Sequence, residues 1–179
     1  ALLLTGLNIY QTTRNTVIPF VIEVSKDSGA ARVVGKVGEI DYVPQKLQIQ
    51  YFLRNFVRNI REIPADPVVI KQRWLNAYYF LQKEAATLLD QLANEENSPL
   101  AKIGEIRVTV QPLTVNQVGS GKSYQVRWKE KVYDSTGNFM NEYTMSGVFS
   151  LTFSPPKTEE DVNNNPLGIY IRSFSWSKE

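Results

Sequence analysis

The sequence predicts an α+β domain in which N-terminal helices pack on one face of a curved antiparallel sheet. Three observations carry this. Apolar residues recur at helical period between positions 49 and 60. Further along, apolar and polar residues alternate in runs separated by turn signals, as half-buried strands do. The two patterns are segregated, because everything after Gly104 reads as strand.

Val17 to Lys26 mixes β-branched and aromatic residues and is a strand candidate, with Asp27-Ser28-Gly29 as the turn after it. Ala31 to Val37 reads either as the second arm of a hairpin or as extended linker, since Gly35 and Gly38 weaken it as a strand interior. Pro44 opens the first strong helix. In it Ile49, Phe52, Leu53, Phe56, Val57 and Ile60 form one stripe, while Gln48, Arg54, Asn55, Arg58 and Arg61 occupy other faces. The stripe reads as a core face, and the basic polar side leaves a membrane-surface helix as the alternative.

Ile63-Pro64-Ala65 ends that helix, Asp66 caps the next, and Pro67 takes its first position, where its missing N–H does no harm. Ile70, Trp74, Ala77, Tyr78 and Leu81 share a face. Helix is then expected to run on from Leu81 to Asn94, with Ala85, Leu88, Leu89 and Leu92 as its stripe. Asn97-Ser98-Pro99 closes the helical half, and Leu100 to Lys102 forms a last turn.

In the strand half, Ile106, Val108 and Val110 alternate with Arg107 and Thr109. Tyr124, Val126, Trp128 and Val132 alternate with Gln125, Arg127, Lys129 and Lys131, and Asp134-Ser135-Thr136-Gly137-Asn138 is a hairpin turn. Met145, Phe149, Leu151 and Phe153 oppose Thr144, Ser146, Ser150 and Thr152. The last strand, Gly168 to Ser177, is expected to place Tyr170, Arg172, Phe174 and Trp176 on one face and Ile169 and Ile171 on the other.

At 179 residues the chain is one domain, or one domain with an arm, and it buries roughly 70% of its unfolded surface on folding. No internal repeat, low-complexity tract or second domain is visible. Ala1-Leu2-Leu3-Leu4-Thr5-Gly6-Leu7 is apolar, but a membrane helix needs about 20 such residues. It reads as the remainder of a membrane helix, the end of a signal peptide, or a buried arm.

With no cysteine there is neither a disulfide framework nor a thiol nucleophile. With no histidine, the commonest general base and zinc ligand are missing as well. No metal or cofactor is expected. Twenty basic against 18 acidic side chains leave the charge near balance, which does not suggest a nucleic-acid surface.

Gly119-Ser120-Gly121-Lys122-Ser123 superficially resembles a phosphate-binding loop, but the spacing is too short and both flanks read as strands of one hairpin. Ser123 has no histidine to activate it. Glu95-Glu96 and Glu159-Glu160-Asp161 read as solvated loop carboxylates. Glu130, on the Trp128 face of its strand, is the acid to inspect for an enzyme that uses a pocket between helices and sheet, where an acid and a tyrosine would converge. Arg107, Lys122, Arg127, Lys129 and Lys131, with Tyr133, raise single-stranded nucleic-acid binding as a further alternative.

The most specific stretch is the end of the chain. Asn163-Asn164-Asn165-Pro166-Leu167-Gly168 leads at once into Ile169-Tyr170-Ile171-Arg172-Ser173-Phe174-Ser175-Trp176. Pro166 fixes its own φ and pushes Asn165 toward extended geometry, Gly168 can take a positive φ, and Asn165 can bond its own backbone two residues on in an Asx turn. Together with Pro155-Pro156 and with Ala65-Asp66-Pro67 at a helix start, this tail resembles the TrbF-like conjugal transfer proteins. These are the one-span inner-membrane family of type IV secretion systems, component eight of the VirB operon. The resemblance runs from about Val17 onward.

The resemblance implies a cone-shaped fold of the nuclear-transport-factor-two type. Residues 1–16 would be the remainder of a membrane helix or an arm, and residues 17–179 a single periplasmic domain of a bacterial inner-membrane protein. It further implies a non-catalytic assembly component of a conjugation or secretion apparatus. The expected partners are the protein itself, as a dimer or larger ring, the scaffold that links the two membranes, pilus components, and the membrane through an N-terminal helix. Asn165, Pro166, Leu167, Gly168 and Tyr170 are the expected partner-binding residues: a preformed elbow presenting Leu167 and Tyr170 loses little ordering entropy on docking.

Overall fold

The structure is a computed structural model and describes residues 20–24, 31–36, 43–96 and 98–179. The arm or membrane-helix remainder at 1–16 and the turn at 27–29 lie outside the described residues. Of the strand candidate at the start, Phe20–Val24 (β1) is described, and it pairs antiparallel with Ala31–Lys36 (β2), so 31–36 is the second arm of a two-stranded pair.

The first helix, α1 (Lys46–Arg61), forms as its periodicity dictates. The Gln48 side chain accepts the Gln45 N–H at 2.7 Å, Arg58 and Arg61 sit in the last turn where the helix dipole favours cations, and the six stripe residues are all buried. It stops at Glu62 because Ile63 turns extended and exchanges backbone bonds with Val108 at 3.1 and 3.0 Å, just ahead of Pro64. Helix α2 (Pro67–Ala77) starts where Asp66 accepts the Val68 N–H at 2.8 Å.

The helix expected from Leu81 onward does not continue from α2. A 3-10 turn (Tyr78–Phe80) ends it, Leu81 is extended and bridges Ile171, and α3 (Lys83–Ala93) starts afresh after Gln82. The Gln82 N–H donates to the Ile171 carbonyl at 2.9 Å, so a contact with a strand ninety residues away outweighs local helix propensity. The short α4 (Glu159–Asn164) also replaces an expected loop: Thr158 and Asp161 cap its N-terminus reciprocally, so Glu159 and Glu160 occupy a first turn that suits acids, and both stay exposed.

Four strands, β3 (Ile106–Val118), β4 (Ser123–Asp134), β5 (Phe139–Phe153) and β6 (Ile169–Lys178), form an antiparallel sheet in that order. The expected faces of β3, β4 and β5 are found, with Val108, Val110, Tyr124, Val126, Trp128, Met145, Phe149 and Leu151 buried. The expected face of β6 is not. Ser150 pairs with Ser173 and Leu151 with Ile171, so Arg172 is an extra residue in a bulge. The bulge shifts the alternation by one, and Ile169, Ile171 and Phe174 are all buried while Arg172 is exposed.

The core lies between α1 and this face. The Phe56 ring meets Phe149 and Phe174 edge-on at 6.1 and 6.4 Å, and Phe174 stacks on Trp176 at 4.9 Å. Each such buried side chain contributes about 1.5–3 kcal/mol over an exposed one.

Candidate interaction site

The elbow at 165–168 is built by backbone geometry and one buried amide. The Gly168 N–H donates to the Asn165 carbonyl at 2.9 Å, closing the turn. The Asn165 side chain does not form the expected Asx turn two residues on. Its Oδ1 accepts from the Ile169 N–H at 3.3 Å and its Nδ2 donates to the Ile169 carbonyl at 3.0 Å, so the amide mimics a strand partner for the first residue of β6. The same Nδ2 lies 3.5 Å from the Tyr79 carbonyl, which joins the elbow to the 3-10 turn that follows α2. With every polar atom engaged, Asn165 can be 3% exposed.

Gly168 has φ +54°, and its carbonyl accepts the Ser154 N–H at 2.9 Å. A Cβ there would lie 2.0 Å from the Ser154 oxygen, so the chain leaving β5 and the chain entering β6 cross where only glycine fits. Asn165 and Gly168 therefore face inward, Pro166 is exposed, and Leu167 is half-buried against the core. Tyr170 is also half-buried; burial and the nearby Asp161 charge push its hydroxyl pKa up, so it stays a neutral donor.

Pro166 and Leu167 form one wall of a groove of about 200 Å³. Phe52, Phe56 and Phe80 make its floor; Tyr51, Asn55 and Asn59 of α1 make the opposite wall. No charged side chain lines it. The structure thus brings Asn164, Asn165, Pro166 and Leu167 together with α1, while Tyr170 is not part of this groove. The α1 contribution was missed in the sequence, although it left a signal. Leu47 and Tyr51, one turn apart, are large apolar residues off the core stripe, and they are 73% and 70% exposed.

The alternative sites resolve differently. Glu130 is 1% exposed, and its carboxylate accepts from Arg61 Nε at 2.8 Å, Arg61 Nη2 at 3.0 Å, Trp128 Nε1 at 2.8 Å and Tyr143 Oη at 3.0 Å. An acid and a tyrosine do meet beside a cavity, of about 690 Å³, between helices and sheet. But the carboxylate's lone-pair sites are filled by these four donors, and Tyr143 has its pKa pushed up to about 12 by burial and by the Glu130 charge. This is a held ion pair, without a free base.

On the outer sheet face, Arg127 pairs with Glu179 at 2.6 Å, Lys129 with Glu142 at 2.9 Å, and Lys131 lies opposite Glu142 in register. Arg107 donates to the Ser135 carbonyl, Lys122 sits 4.8 Å over the Phe153 ring, and Tyr133 packs edge-on against Phe139. These cations are answered within the protein and form no open phosphate track. Gly119 to Lys122 is the plain turn between β3 and β4. Among the described residues no cluster of acids could hold a metal ion, and no helix is long and apolar enough to cross a membrane.

Comparison with known proteins agrees with this architecture. The family model described as VirB8 protein matches residues 1–179. The chain is 31% identical over 175 residues to a conjugal transfer protein TrbF of Rhizobium radiobacter, covering 97% of this chain and 78% of that protein. The Agrobacterium tumefaciens VirB8 structure superposes with a TM-score of 0.64 at 19% identity, over 76% of this chain and 97% of its own. A TrwG component of the type IV secretion system of Bartonella birtlesii gives 0.64 and 19%, over 77% and 94%. The fold is the expected cone of the nuclear-transport-factor-two type: helices followed by an open four-stranded antiparallel sheet.

Proposed function

From the premise that the chain belongs to the VirB8 family of type IV secretion components, we propose that it is a non-catalytic assembly subunit whose elbow and α1 groove form a docking face. The domain works on the periplasmic side of the inner membrane, tethered by an N-terminal membrane helix, in a conjugation apparatus. It docks onto itself and onto neighbouring channel subunits, including the scaffold that links the two membranes and pilus components.

The observation that carries this reading is the groove. It is apolar, uncharged, and rimmed by Tyr51 and Pro166, which are exposed in the isolated chain. An exposed aromatic beside a shaped apolar cleft is the composition of an interface hot spot. Asn165 and Gly168 serve it from within: they hold Pro166 and Leu167 in place before any partner arrives, so docking orders little. A weak contact is sufficient, because membrane tethering raises the local concentration of subunits.

The test uses the full-length protein in detergent. Tyr51→Ala combined with Pro166→Ala changes the free energy of unfolding by no more than about 0.5 kcal/mol per site, the scale of surface changes. It weakens self-association by about tenfold in sedimentation equilibrium, the loss of one hot-spot contact. Unchanged association would remove the groove from the interface.

A further inference from the structure

We propose that the free edge of β6, from Phe174 to Lys178, receives the β1–β2 hairpin of a second copy of this chain as added strands. This rests on the self-association proposed above and gives it a contact separate from the groove. The four-stranded sheet has two edges, and they are finished differently. Along β3, Val108 exchanges backbone bonds with Ile63, and the Val110 N–H reaches Glu62 Oε1 at 3.4 Å. Pro112 has no N–H and sits at a bulge, and Gln50 Nε2 donates to the Val115 carbonyl at 3.0 Å. These are the usual means by which a protein blunts an edge strand.

Past the Ile171 carbonyl, which takes the Gln82 N–H, β6 has no such guard. The Leu151 N–H bonds to the Lys122 carbonyl, so Leu151 turns its backbone toward β4, and the alternate residues Ser146, Val148 and Ser150 turn theirs toward β6. They meet Ser177, Ser175 and Ser173. Phe174, Trp176 and Lys178 therefore point their N–H and C=O groups off the sheet, and none of these groups has a partner among the described residues. Ser173, Ser175 and Ser177 between them are small and exposed, and the run holds no proline, carboxylate or bulge. Such a row is a template for strand addition, in which main-chain bonds supply the affinity.

The occupant follows from β1 and β2. Among the described residues, Phe20–Val24 and Ala31–Lys36 pair only with each other and form a sheet apart from β3–β6. A lone two-stranded hairpin is marginal in water and gains from a longer sheet. Its own β6 edge is poorly placed to supply one. Arg61, in the last turn of α1, lies 5.5 Å over the Trp176 ring, whereas the hairpin joins the chain through residues 37–45, ahead of Lys46 at the other end of that helix. Those residues reach at most about 35 Å when fully extended, and about 24 Å of this is taken up in retracing the 16 residues of α1. The edge of a neighbouring copy needs no such path. One copy's hairpin on the next copy's β6 is a head-to-tail contact, the kind that builds rings.

The sequence holds no cysteine, so disulfide trapping reads this contact directly. Full-length protein carrying Ser175→Cys is mixed in detergent with affinity-tagged full-length protein carrying a single cysteine, placed in turn at each position of 20–24 and 31–36, and oxidised mildly. A disulfide between the two chains is expected, forming at least about tenfold faster than with Ser120→Cys in the exposed β3–β4 turn, because a held pair outpaces chance collision. The linking positions should alternate along one strand of the hairpin, as the side chains of an added strand do. The same link is expected in the Tyr51→Ala, Pro166→Ala background, which leaves β6 intact, so the edge contact and the groove contact fail separately. Three results would each overturn the proposal: no hairpin position faster than the Ser120→Cys control, a monomer-sized disulfide in a protein carrying both cysteines, or Ser175→Cys linking mainly to its own copy.

Discussion

Two buried polar side chains, Asn165 and Glu130, are 3% and 1% exposed and solve the same problem by different means. Asn165 bonds to backbone: both polar ends of its amide go to Ile169, four residues along, and the result is a fixed turn. Glu130 bonds to side chains from three elements, Arg61 of α1, Trp128 of β4 and Tyr143 of β5, and the result is a pinned helix end. The first is local shape, and the second is long-range register. Disturbing them should therefore break different things.

The elbow gives the largest effect. Gly168→Val places a β-branched side chain at φ +54°, where an L-residue loses about 1–2 kcal/mol, and drives its Cβ to 2.0 Å from the Ser154 oxygen. The crossing of the β5 exit and the β6 entry cannot relax without moving backbone. A loss of about 4 kcal/mol or more is expected, at the extreme of single substitutions, and the soluble yield should fall accordingly. This variant consequently reports on folding and not on docking, which is why the association test above uses Tyr51 and Pro166. Denaturant unfolding within 1 kcal/mol of the parent, an allowance set by the usual scale of such changes, would show that the crossing yields after all.

The buried ion pair comes next. Glu130→Ala strips the partner from Arg61, whose side chain is 17% exposed, and strands the Trp128 N–H and the Tyr143 hydroxyl. Breaking one half of a buried pair costs about 3–5 kcal/mol, while replacing both halves by apolar residues is often near neutral. Glu130→Leu with Arg61→Met should therefore recover the part of the Glu130→Ala loss that comes from the uncompensated Arg61 charge in urea unfolding, while the Trp128 N–H and Tyr143 hydroxyl stay unpaired in both variants. Failure to recover would mean that the network supplies net stability, and that its role goes beyond matching charges.

The same contrast explains what could be read from the sequence. The segregation of helix and strand, the α1 stripe, the Asp66-Pro67 cap and the Asp134 turn were legible because each rests on residues close together in the chain. The tail was legible as a rigid turn for the same reason. What escaped was decided at long range. The Arg172 bulge depends on how Ser150 and Leu151 pair, the break at Leu81 on a carbonyl of β6, and the groove on α1 residues more than a hundred positions from the elbow. Glu130 was visible as an acid on the apolar face of its strand, but nothing local to it names Arg61 as the partner.

A third polar side chain sharpens the comparison at the small end of the scale. Asp134 resembles Asn165 in purpose, since it closes a turn through local bonds, yet it is only half-buried. Its carboxylate accepts from the Thr136 hydroxyl at 2.7 Å, from Asn138 Nδ2 at 3.0 Å, and from the backbone N–H groups of Thr136 and Asn138 at 2.9 Å each. These bonds, the Thr136 hydroxyl first, hold its pKa well below the ordinary aspartate value of 3.8. A depressed pKa means that the folded turn favours the charged form. Its stabilisation is thus complete above the unfolded aspartate range and is lost as the pH falls below that range toward the folded value. Amide exchange at Thr136 and Asn138, followed by NMR, should accelerate relative to the β4 and β5 interiors on acidification below about pH 4, the unfolded carboxylate range. Asp134→Ala should show the faster exchange at neutral pH and lose the acid dependence. Solvent screens this site, so the global midpoint of unfolding should barely move. A large shift in that midpoint would mean that the hairpin tip is coupled to the core, which separates it from the elbow it otherwise resembles.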